Sequence, residues 1–498
     1  MNVRHGCQII WKKPAILVSE TQPVINMNID DKPQEECGVV GAFIPSENVA
    51  RTVFFGLFAL QHRGQESAGI ATSEGDEIRL KARMGLVSQV FHEETLVGLP
   101  GHLGIGHTRY STMGGSKEYN AQPLIANGQR GEIAVGHNGN VINAAELRVE
   151  MTEEFGSNFE KSSDTEVIAE LFAKAPGSDW FEVSAYAMRR LKGAYSLVIM
   201  TKDQLIAVRD PLGIRPLCLG TLNGGWVVAS ETAALDNLGA EFVREFENGE
   251  TVVIDHSGIQ SQIWSSARTN HAMCVFEQIY FARPDSILNG ELAYETRQRL
   301  GAEVYREHPV DADIVVGIPD SSTPHAVGLA AEAKIPYTEA IIRNRYVGRT
   351  FIQPDQRSRA QGVQTKFNPM RGVISGKRIL VVDDSVVRST TITRVIKMLR
   401  KAGAKEIHVR VASPPIKSTC HFGVDMATLN ELIAANKTVT EITEYIGADS
   451  LAYLSVEGLL RAVRAPANSY CTGCFTGNYP IPVQLEMNKM RFEVGINT

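Results

Sequence analysis

One cysteine near the start of the chain stands directly before an apolar run that has the pattern of a buried strand. This cysteine is Cys37, and residues 38–43 form the run. A deprotonated thiol at such a position is a nucleophile suited to acyl transfer. A lone buried cysteine is more often a small packing residue, so the prediction of a nucleophile depends on the motifs that follow.

Four short polar motifs come after Cys37, and each of them breaks an apolar segment. They occupy residues 61–66, 106–110, 136–140 and 162–166. Polar clusters that end apolar segments can meet at one rim of a folded domain. In this order the set is far more specific than the cysteine alone, and it predicts one polar pocket around the thiol.

A second candidate site lies where the apolar residues 378–382 meet Asp383 and Asp384, just before a helical pattern. The N–H groups and the dipole at the start of a helix suit a phosphate group. Further donors come from four hydroxyl side chains, those of Ser385, Ser389, Thr390 and Thr391. Two adjacent carboxylates would repel a phosphate and instead suit sugar hydroxyls or a divalent cation. The turn therefore predicts a phosphorylated sugar as ligand, and the alternative is an N-cap cluster that binds nothing.

Two other segments fit the same ligand. Residues 318–322 include the end of another apolar run, and residues 343–366 carry six cations against one acid, Asp355. A basic segment of this kind could close over the phosphates, neutralise their charge and exclude water. A solvated basic loop is the alternative.

The chain has seven cysteines, an odd number, and is too long for a small disulfide scaffold. Four of them could hold zinc or an iron–sulfur cluster, and their spacing does not separate the two. These four are Cys274, Cys420, Cys471 and Cys474, of which the last two form a CxxC motif.

The elements that must position these residues differ between the two halves. The first half shows clustered short strands and a helix over residues 49–61, which indicate a layered α+β domain. The strands are predicted at residues 38–43, 104–107, 134–137, 194–200 and 205–209. In the second half, apolar runs alternate with helical stretches such as residues 391–401, which predicts a parallel sheet of βαβ units. These runs are residues 313–318, 378–382 and 407–412. The change of pattern predicts domains over residues 37–270 and 271–498.

Composition excludes several other classes of protein. The 498 residues are 43% hydrophobic and 21% charged, with a net charge of −6, so disordered and collagen-like chains are excluded. No global basic field draws the chain to nucleic acid or to an anionic membrane, and no apolar run approaches the ~18 residues of a membrane span. Residues 1–36 have neither the apolar core of a secretory signal nor the composition of a transit peptide. We expect a cytoplasmic protein.

The motifs around Cys37 resemble the glutaminase domain of the N-terminal-nucleophile amidotransferases. The resemblance implies that residues 1–36 are a leader or propeptide whose removal makes Cys37 the first residue, although Met27 is an alternative start of the chain. A free α-amino group titrates near ~8 and can act as the base for its own thiol. Before cleavage the same nitrogen is an amide and cannot accept a proton.

The same resemblance implies roles for the polar motifs. Arg109 would pair with the α-carboxylate of glutamine and Asp164 with its α-ammonium group, and Arg63 is placed among the glutamine-binding residues. Asn138 and the backbone N–H of Gly139 would form an oxyanion hole. A surface salt bridge is the alternative for Arg109, and a tight turn is the alternative for the Asn138–Gly139 pair.

The turn at residues 383–391 resembles the phosphoribosyl-pyrophosphate (PRPP) loop of type I phosphoribosyltransferases, which usually has glycine where this chain has Ser389. If that position needs a positive φ, the serine costs roughly 1–2 kcal/mol. The resemblance implies that the turn binds PRPP with Arg388 and Arg349. It also implies Mg²⁺ ligation by Ser321 together with Asp383 and Asp384.

The contexts of Cys274 and Cys474 resemble the bacillus-type branch of the amidophosphoribosyltransferases, also called glutamine PRPP amidotransferases, which carries a [4Fe-4S] cluster. This resemblance extends from residue 37 to about residue 485. It implies an N-terminal-nucleophile glutaminase sandwich followed by an α/β type I phosphoribosyltransferase domain, with the C-terminal region binding the cluster.

The implied reaction converts glutamine, water and PRPP into 5-phosphoribosylamine, pyrophosphate and glutamate, the first step of de novo purine synthesis. The family also implies homotetramers and inhibition by purine nucleotides. One alternative is another amidotransferase of this type, such as a glucosamine-6-phosphate or asparagine synthase, in which the turn at residues 383–391 has no role. The other is a non-catalytic PRPP-sensing regulator, which would not need an intact glutaminase motif set.

Overall fold

The computed structural model describes residues 37–110, 117–264, 271–344, 367–426, 428–464, 466 and 469–483. In the first half, the described residues form two antiparallel sheets that pack face to face. The strands are Gly38–Phe43 (β1), Ser67–Ser73 (β2), Ile78–Met84 (β3), Leu103–Arg109 (β4), Leu124–Gly128 (β5), Gly131–Val141 (β6), Gly193–Met200 (β7), Leu205–Arg209 (β8), Cys218–Leu222 (β9), Gly225–Ala229 (β10), Glu241–Glu245 (β11), Glu250–Asp255 (β12) and Gly258–Ile263 (β13).

The order of strands places β1 in the middle of its sheet. One sheet runs β11-β9-β10-β1-β4-β2-β3 and the other runs β13-β12-β8-β7-β6-β5. Apolar side chains such as Val39, Ile105 and Val198 fill the space between the two sheets. Because both neighbours of β1 are hydrogen-bonded to it, the residue at its beginning is held firmly.

Helices cover both outer faces of this sandwich. Within the described ranges they are Ala50–Ala59 (α1), Val87–Val90 (α2), Glu93–Val97 (α3), Ala144–Phe155 (α4), Asp164–Lys174 (α5), Trp180–Arg190 (α6) and Thr232–Leu238 (α7), with a short 3₁₀ helix at Glu118–Asn120. The sheet with β1 packs against α1, whereas α4, α5 and α6 cover the other sheet. The predicted N-terminal-nucleophile sandwich is therefore confirmed.

Two differences from the sequence-based expectation concern helices. The first half holds more helix than predicted, because α5 is buried along most of its length and lacks the polar face that reveals an amphipathic helix. The helix predicted over residues 49–61 ends at Ala59. Gly64 lies beyond it, and a Cβ there would lie 2.5 Å from the backbone of Thr108, so this glycine permits close approach of two segments.

The second half is an α/β domain. Its described strands are Met273–Cys274 (β14), Ile287–Leu288 (β15), Glu291–Leu292 (β16), Ile314–Gly317 (β17), Ile341–Arg343 (β18), Phe367–Pro369 (β19), Arg378–Asp383 (β20), Glu406–Val411 (β21), Ser450–Tyr453 (β22) and Tyr470–Cys471 (β23). Its described helices are Ala293–Glu307 (α8), Thr323–Ala333 (α9), Arg371–Ile374 (α10), Thr390–Lys401 (α11), Ile433–Asn436 (α12), Val439–Ile446 (α13), Val456–Ala462 (α14) and Gly473–Thr476 (α15), with a 3₁₀ helix at Leu429–Glu431 and a π-helix at Glu277–Phe281.

A sheet in the order β17-β20-β21-β22 forms the centre of this domain, and all three of its strand pairs are parallel. The prediction of a parallel sheet is confirmed. Helix α11 follows β20 and buries Ile392, Val395, Ile396 and Leu399, the apolar spacing that the sequence predicted. Since the strands are parallel, the residues after β17 and β20 meet at one edge of the sheet.

The two halves share one apolar core. Ala194 and Ile214 of the first half pack with Val275 and Phe276 of the second. Residues 265–270, where the boundary between domains is predicted, lie outside the described residues, so the domain limits stay predictions. Within the described ranges, no helix combines the length and the apolar character that crossing a bilayer requires.

Candidate active sites

Cys37 lies directly before β1 and is almost fully buried. Its Sγ donates to the carbonyl oxygen of Tyr110 at 3.5 Å, and its own carbonyl oxygen accepts from Nε of Arg63 at 3.1 Å. Burial raises the pKa of the Cys37 thiol to about 11, although the charge of Arg109 opposes the shift. The thiol is therefore protonated near neutral pH and needs a base to become a nucleophile.

Two residues predicted to bind glutamine lie beside this thiol. Gly38 pairs with Thr108 across β1 and β4, so Cys37 and Arg109 are the next residues along the two strands. Asp164 begins α5, and its Oδ2 accepts from the backbone N–H of Val141 at 2.9 Å. Both Arg109 and Asp164 are buried, and the charges of both act on the thiol of Cys37.

Glu66 also acts electrostatically on the Cys37 thiol. It lies in the polar motif at residues 61–66, which is predicted to line the pocket, but no individual role is predicted for it from the sequence. Its backbone N–H donates to the carbonyl oxygen of Arg109 at 3.0 Å, which joins the two motifs. A backbone hydrogen bond between two motifs that are distant in the chain cannot be predicted from the sequence pattern alone.

Asn138 and Gly139 lie on β6, in the sheet that faces β1. Both polar atoms of the Asn138 side chain are buried, and neither has a hydrogen-bond partner among the described residues. An unpartnered buried amide is costly, so this side chain has the character of a ligand-binding group. Gly139 has a φ of +144°, and a Cβ there would lie 2.0 Å from the carbonyl oxygen of Ala194, so only glycine fits.

A histidine contact brings β6 close to the nucleophile. Nε2 of His107 donates to the carbonyl oxygen of His137 at 2.9 Å. His137 directly precedes Asn138, and His107 lies two residues before Arg109. Burial lowers the pKa of His107 to about 3, so this ring is neutral near neutral pH. His107 therefore joins the two sheets at the site and is already fixed in its neutral form.

Arg63 is engaged by protein groups rather than directed into an open pocket. Its Nη1 donates to Glu231 at 2.5 Å and its Nη2 to Glu277 at 2.7 Å, in addition to the bond from Nε to Cys37. The guanidinium group is buried, as are both carboxylates. Arg63 thus bonds to carboxylates of the protein, whereas the family resemblance implies that it binds the substrate glutamine.

The second domain also reaches the residues of β6. Nδ2 of Asn140 donates to the carbonyl oxygen of His421 at 2.9 Å. A Cβ on Gly423, whose φ is +108°, would lie 2.9 Å from the backbone of Gly139. A segment that follows Cys420 thus packs directly on the predicted oxyanion hole.

The second site forms where β17 and β20 end. Oγ of Ser322 donates to Asp383 at 3.0 Å and lies 3.2 Å from Asp384, while Oγ of Ser385 donates to Asp384 at 2.8 Å. All four residues are buried. The hydroxyl that orients the two carboxylates thus belongs to Ser322, whereas the residue predicted as a Mg²⁺ ligand is its neighbour, Ser321.

Ser389 caps the start of α11 with a φ of +64°, in the left-handed region. Its Oγ donates to the carbonyl oxygen of Arg388 at 2.6 Å, and its carbonyl oxygen accepts from the hydroxyl of Thr393. A positive φ at this position explains why glycine is usual there and why serine carries a conformational cost. Thr390 and Thr391 form the first turn of the helix, where their N–H groups point away from it.

Of the two remaining predicted PRPP ligands, Arg388 lies within the described residues. Nε of Arg388 contacts the carboxylate of Glu431 at 3.2 Å, so this cation is held at the surface beside the turn. Arg349, like most of the basic segment over residues 343–366, lies outside the described residues.

The four cysteines predicted to bind a cluster come together at the junction of the domains. Cys274 lies opposite Cys471 in the parallel pair of β14 and β23, and Cys474 follows on α15. Cys274, Cys420 and Cys471 all act electrostatically on Cys474, and the backbone N–H of Phe422 donates to Sγ of Cys420. Burial raises the pKa of Cys274 and of Cys471 to about 12.

These thiols form no disulfide within the described residues. In that part of the chain, no three His, Cys, Asp or Glu side chains form a group that would hold a single metal ion. The set of four thiols still offers the donors that an iron–sulfur cluster takes from proteins.

Each half of the chain matches a known protein family. A family model described as a glutamine amidotransferase domain matches residues 107–237, and one described as a phosphoribosyl transferase domain matches residues 284–414. The chain is similar to the amidophosphoribosyltransferase of Synechococcus elongatus, with 49% identity over 93% of this chain and 95% of that protein. It is also similar to the amidophosphoribosyltransferase of Methanocaldococcus jannaschii, with 47% identity over 90% and 98%.

A solved structure agrees with these relatives. It is the glutamine PRPP amidotransferase from B. subtilis complexed with ADP and GMP. The two chains share 42% identity and a TM-score of 0.84, covering 91% of this chain and 99% of that one.

The conformation of Ser389 yields a stability prediction. Replacing Ser389 with glycine should raise the free energy of unfolding by about 1 kcal/mol, because glycine adopts the left-handed conformation without the penalty of a side chain. Urea denaturation measures the change. The control is Ser375→Gly, since Ser375 has a φ of −58° and glycine there should lower stability. A loss of stability in Ser389→Gly would contradict the account of this turn.

Proposed function

The chain belongs to the amidophosphoribosyltransferase family, and we propose that it forms 5-phosphoribosylamine, pyrophosphate and glutamate from PRPP, glutamine and water. This is a glycosyltransferase reaction with a glutaminase half-reaction, and it is the first step of de novo purine synthesis. The observation that carries the proposal is the buried, unpartnered amide of Asn138 near Cys37, in a chain that also holds the acidic turn after β20.

The glutaminase half begins with removal of residues 1–36. Because burial keeps the Cys37 thiol protonated, a base must take its proton, and the α-amino group of a mature Cys37 can do so. The thiolate attacks the side-chain carbonyl of glutamine, ammonia leaves, and water hydrolyses the resulting thioester to glutamate. The amide of Asn138 and the N–H of Gly139 stabilise the oxyanion that forms in each step.

Charge complementarity supports the way glutamine binds. Arg109 offers a planar cation for the α-carboxylate, and Asp164 offers an anion for the α-ammonium group. Both are buried beside Cys37, so each charge acts with little screening by water. Binding both ends of the amino acid leaves the side-chain amide to approach the thiol.

In the second half-reaction, ammonia attacks C1 of the ribose and pyrophosphate leaves. The hydroxyls and N–H groups over residues 385–391 bind the phosphate of PRPP, and Asp383 and Asp384 bind the ribose hydroxyls. Mg²⁺, which would be held by Ser321, Asp383 and Asp384, supplies positive charge to the pyrophosphate. The contacts from Ser322 to both carboxylates fit this donor set, because they fix the orientation of both carboxylates. Arg388 adds positive charge beside the turn, and Arg349 would supply a second cation.

Ammonia must travel between the two sites without entering bulk water, where it would be protonated and lost. The packing of Gly423 against Gly139 supports direct transfer, because it puts the second domain next to the predicted oxyanion hole where ammonia is released. The apolar core that the domains share would keep water away from such a route.

A [4Fe-4S] cluster held by Cys274, Cys420, Cys471 and Cys474 fits the four neighbouring thiols. When bound, the cluster would act as a structural cross-link and take no part in the transfer of nitrogen. It would join β14 at the domain junction to the segment after β21 and to the C-terminal region. Zinc remains the alternative that the residues alone allow.

The wider setting of the enzyme follows the family. We propose a cytoplasmic homotetramer inhibited by purine nucleotides. Support for the inhibitors comes from the B. subtilis relative, whose structure is described as complexed with ADP and GMP.

Replacing Cys37 with alanine should abolish PRPP turnover with glutamine and preserve turnover with ammonia, because only the first requires the thiol. Both activities are measured as pyrophosphate release. The control is Cys218→Ala, which removes another buried cysteine, one to which no catalytic or binding role is assigned, and it should leave both activities intact. Loss of both activities in the Cys37 variant would contradict a scheme with two sites.

Replacing Asp384 with asparagine should lower PRPP turnover about 100-fold with either nitrogen source, because it removes a charge that binds ribose and Mg²⁺. Hydrolysis of glutamine should remain detectable. Initial rates with glutamine and with ammonia test this, and Asp285→Asn, a change at an exposed pair, serves as control. Unchanged PRPP turnover would show that the turn at residues 383–391 is not part of the active site.

Anaerobically purified protein should be brown and contain about four irons per chain. Metal analysis and the visible spectrum check this. Cys420→Ser should lose iron, whereas Cys218→Ser should retain it. Stoichiometric zinc without visible absorbance would show that the four cysteines bind zinc and would contradict the iron–sulfur cluster.

A further inference from the structure

A buried ion-pair network links the nucleophile to the second domain. Arg63 lies between Glu231, which precedes α7 of the first domain, and Glu277, which begins the π-helix of the second. It donates to Glu231 at 2.5 Å, to Glu277 at 2.7 and 3.1 Å, and to the carbonyl oxygen of Cys37 at 3.1 Å. All of these side chains are at most 1% exposed.

The two carboxylates keep the arginine charged in this buried position. Burial by itself would lower the pKa of the Arg63 guanidinium, but Glu277 and Glu231 raise that pKa above its usual range. Each carboxylate has further support. Glu231 contacts His62 and accepts from Ser286 of the second domain, and Glu277 lies 3.6 Å from Nη1 of Arg215. Such a network holds its geometry only while every charge keeps its partner.

The bond from Arg63 to the carbonyl oxygen of Cys37 matters most once Cys37 is the first residue. A terminal residue has one covalent neighbour in the chain, so rotation about its Cα–C bond can move both its amino group and its thiol. The hydrogen bond to the carbonyl oxygen fixes the plane of the peptide group and with it the position of Cα, from which both groups project. The position of the amino group and of Sγ relative to the substrate then depends on where Arg63 is held.

We propose that Glu277 of the phosphoribosyltransferase domain is a positioning residue of the glutaminase. It acts through Arg63, whose guanidinium it holds against the carbonyl of Cys37. The inference rests on the proposed function, and it assigns Arg63 to orienting the nucleophile in place of binding glutamine. A residue of the phosphoribosyltransferase domain, which uses ammonia, thereby completes the geometry of the glutaminase site, which releases it.

The segment that carries Glu277 is itself held firmly. Arg297 of α8 is buried and donates to the backbone carbonyls of Gln278 and Ala282 at 2.9 and 2.6 Å. Gln278 in turn donates to the carbonyl oxygen of Leu288. Since the backbone that follows Glu277 is anchored within its own domain, this carboxylate can act as a fixed support.

The test compares Glu277→Gln with Glu277→Asp and with the control Asp285→Asn, which alters an exposed pair with Arg283. In Glu277→Gln the kcat for glutamine-dependent synthesis should fall about tenfold, because the nucleophile is misplaced. The KM for glutamine should change little, and ammonia-dependent synthesis should stay within about twofold of the parent. Glu277→Asp, which keeps the charge, should recover part of the lost kcat.

A chemical readout separates positioning from general loss of structure. The rate at which iodoacetamide alkylates Cys37 should fall in Glu277→Gln, and the pH profile of that rate should shift, because a displaced thiol lies differently relative to the charges of Arg109 and Asp164 that act on it. An unchanged alkylation rate and kcat in a folded Glu277→Gln protein would overturn the proposal. So would an equal loss of ammonia-dependent synthesis, which would indicate a folding defect.

If Glu277→Gln does not fold, Arg63→Lys gives the decisive comparison, because lysine keeps the charge but cannot bond to both carboxylates and the carbonyl together. Parental glutamine-dependent kcat in that variant would overturn the proposal, and a selective loss would support it. The parent enzyme is the reference throughout. If the parent itself shows no glutamine-dependent PRPP turnover, the proposed function fails before the role of Glu277 is tested.

Discussion

The carbonyl of Cys37 accepts a hydrogen bond from an arginine that is buried between two carboxylates, one from each domain. Much of the structure follows from this arrangement. A guanidinium group that is buried away from water needs both of its anionic partners. The domains therefore cannot separate at this point without exposing a charge to water or leaving a buried charge without its partner. The position of Cys37, the proposed nucleophile of the first domain, therefore depends on the position of the second domain, and the apolar core around Phe276 strengthens this dependence.

Each site is built from strand ends that face this junction. The thiol precedes the central strand β1, and Asn138 lies on β6 of the opposite sheet, beside the contact between His107 and His137. The acidic turn lies where two parallel strands end, with Ser322 holding both carboxylates. The segment after Cys420 reaches Gly139, so only a few residues separate the cysteine group from the proposed oxyanion hole. A chain arranged in this way can release ammonia at one site and consume it at the other.

Sequence patterns predicted local structure well and missed what depends on contacts across the fold. Strand β1 and strand β8 match their predicted limits, and α11 begins within one residue of its prediction. Helix α5 was missed because it is buried on most sides. The family glycine at the position of Ser389 raised only the question of a positive φ, and the structure shows that φ is positive there. The contacts of Ser322 with both carboxylates required the structure. So did the partners of Arg63, since residues 63, 231 and 277 are far apart in the chain.

The central claim is that an unblocked amine at Cys37 activates its own thiol. The most direct test is the intact mass of the fully active enzyme, measured together with its glutamine-dependent turnover. The account predicts a chain that begins at Cys37, with activity proportional to the fraction of chains processed. Full glutamine-dependent activity in protein that still has residue 36 joined to residue 37 would contradict it.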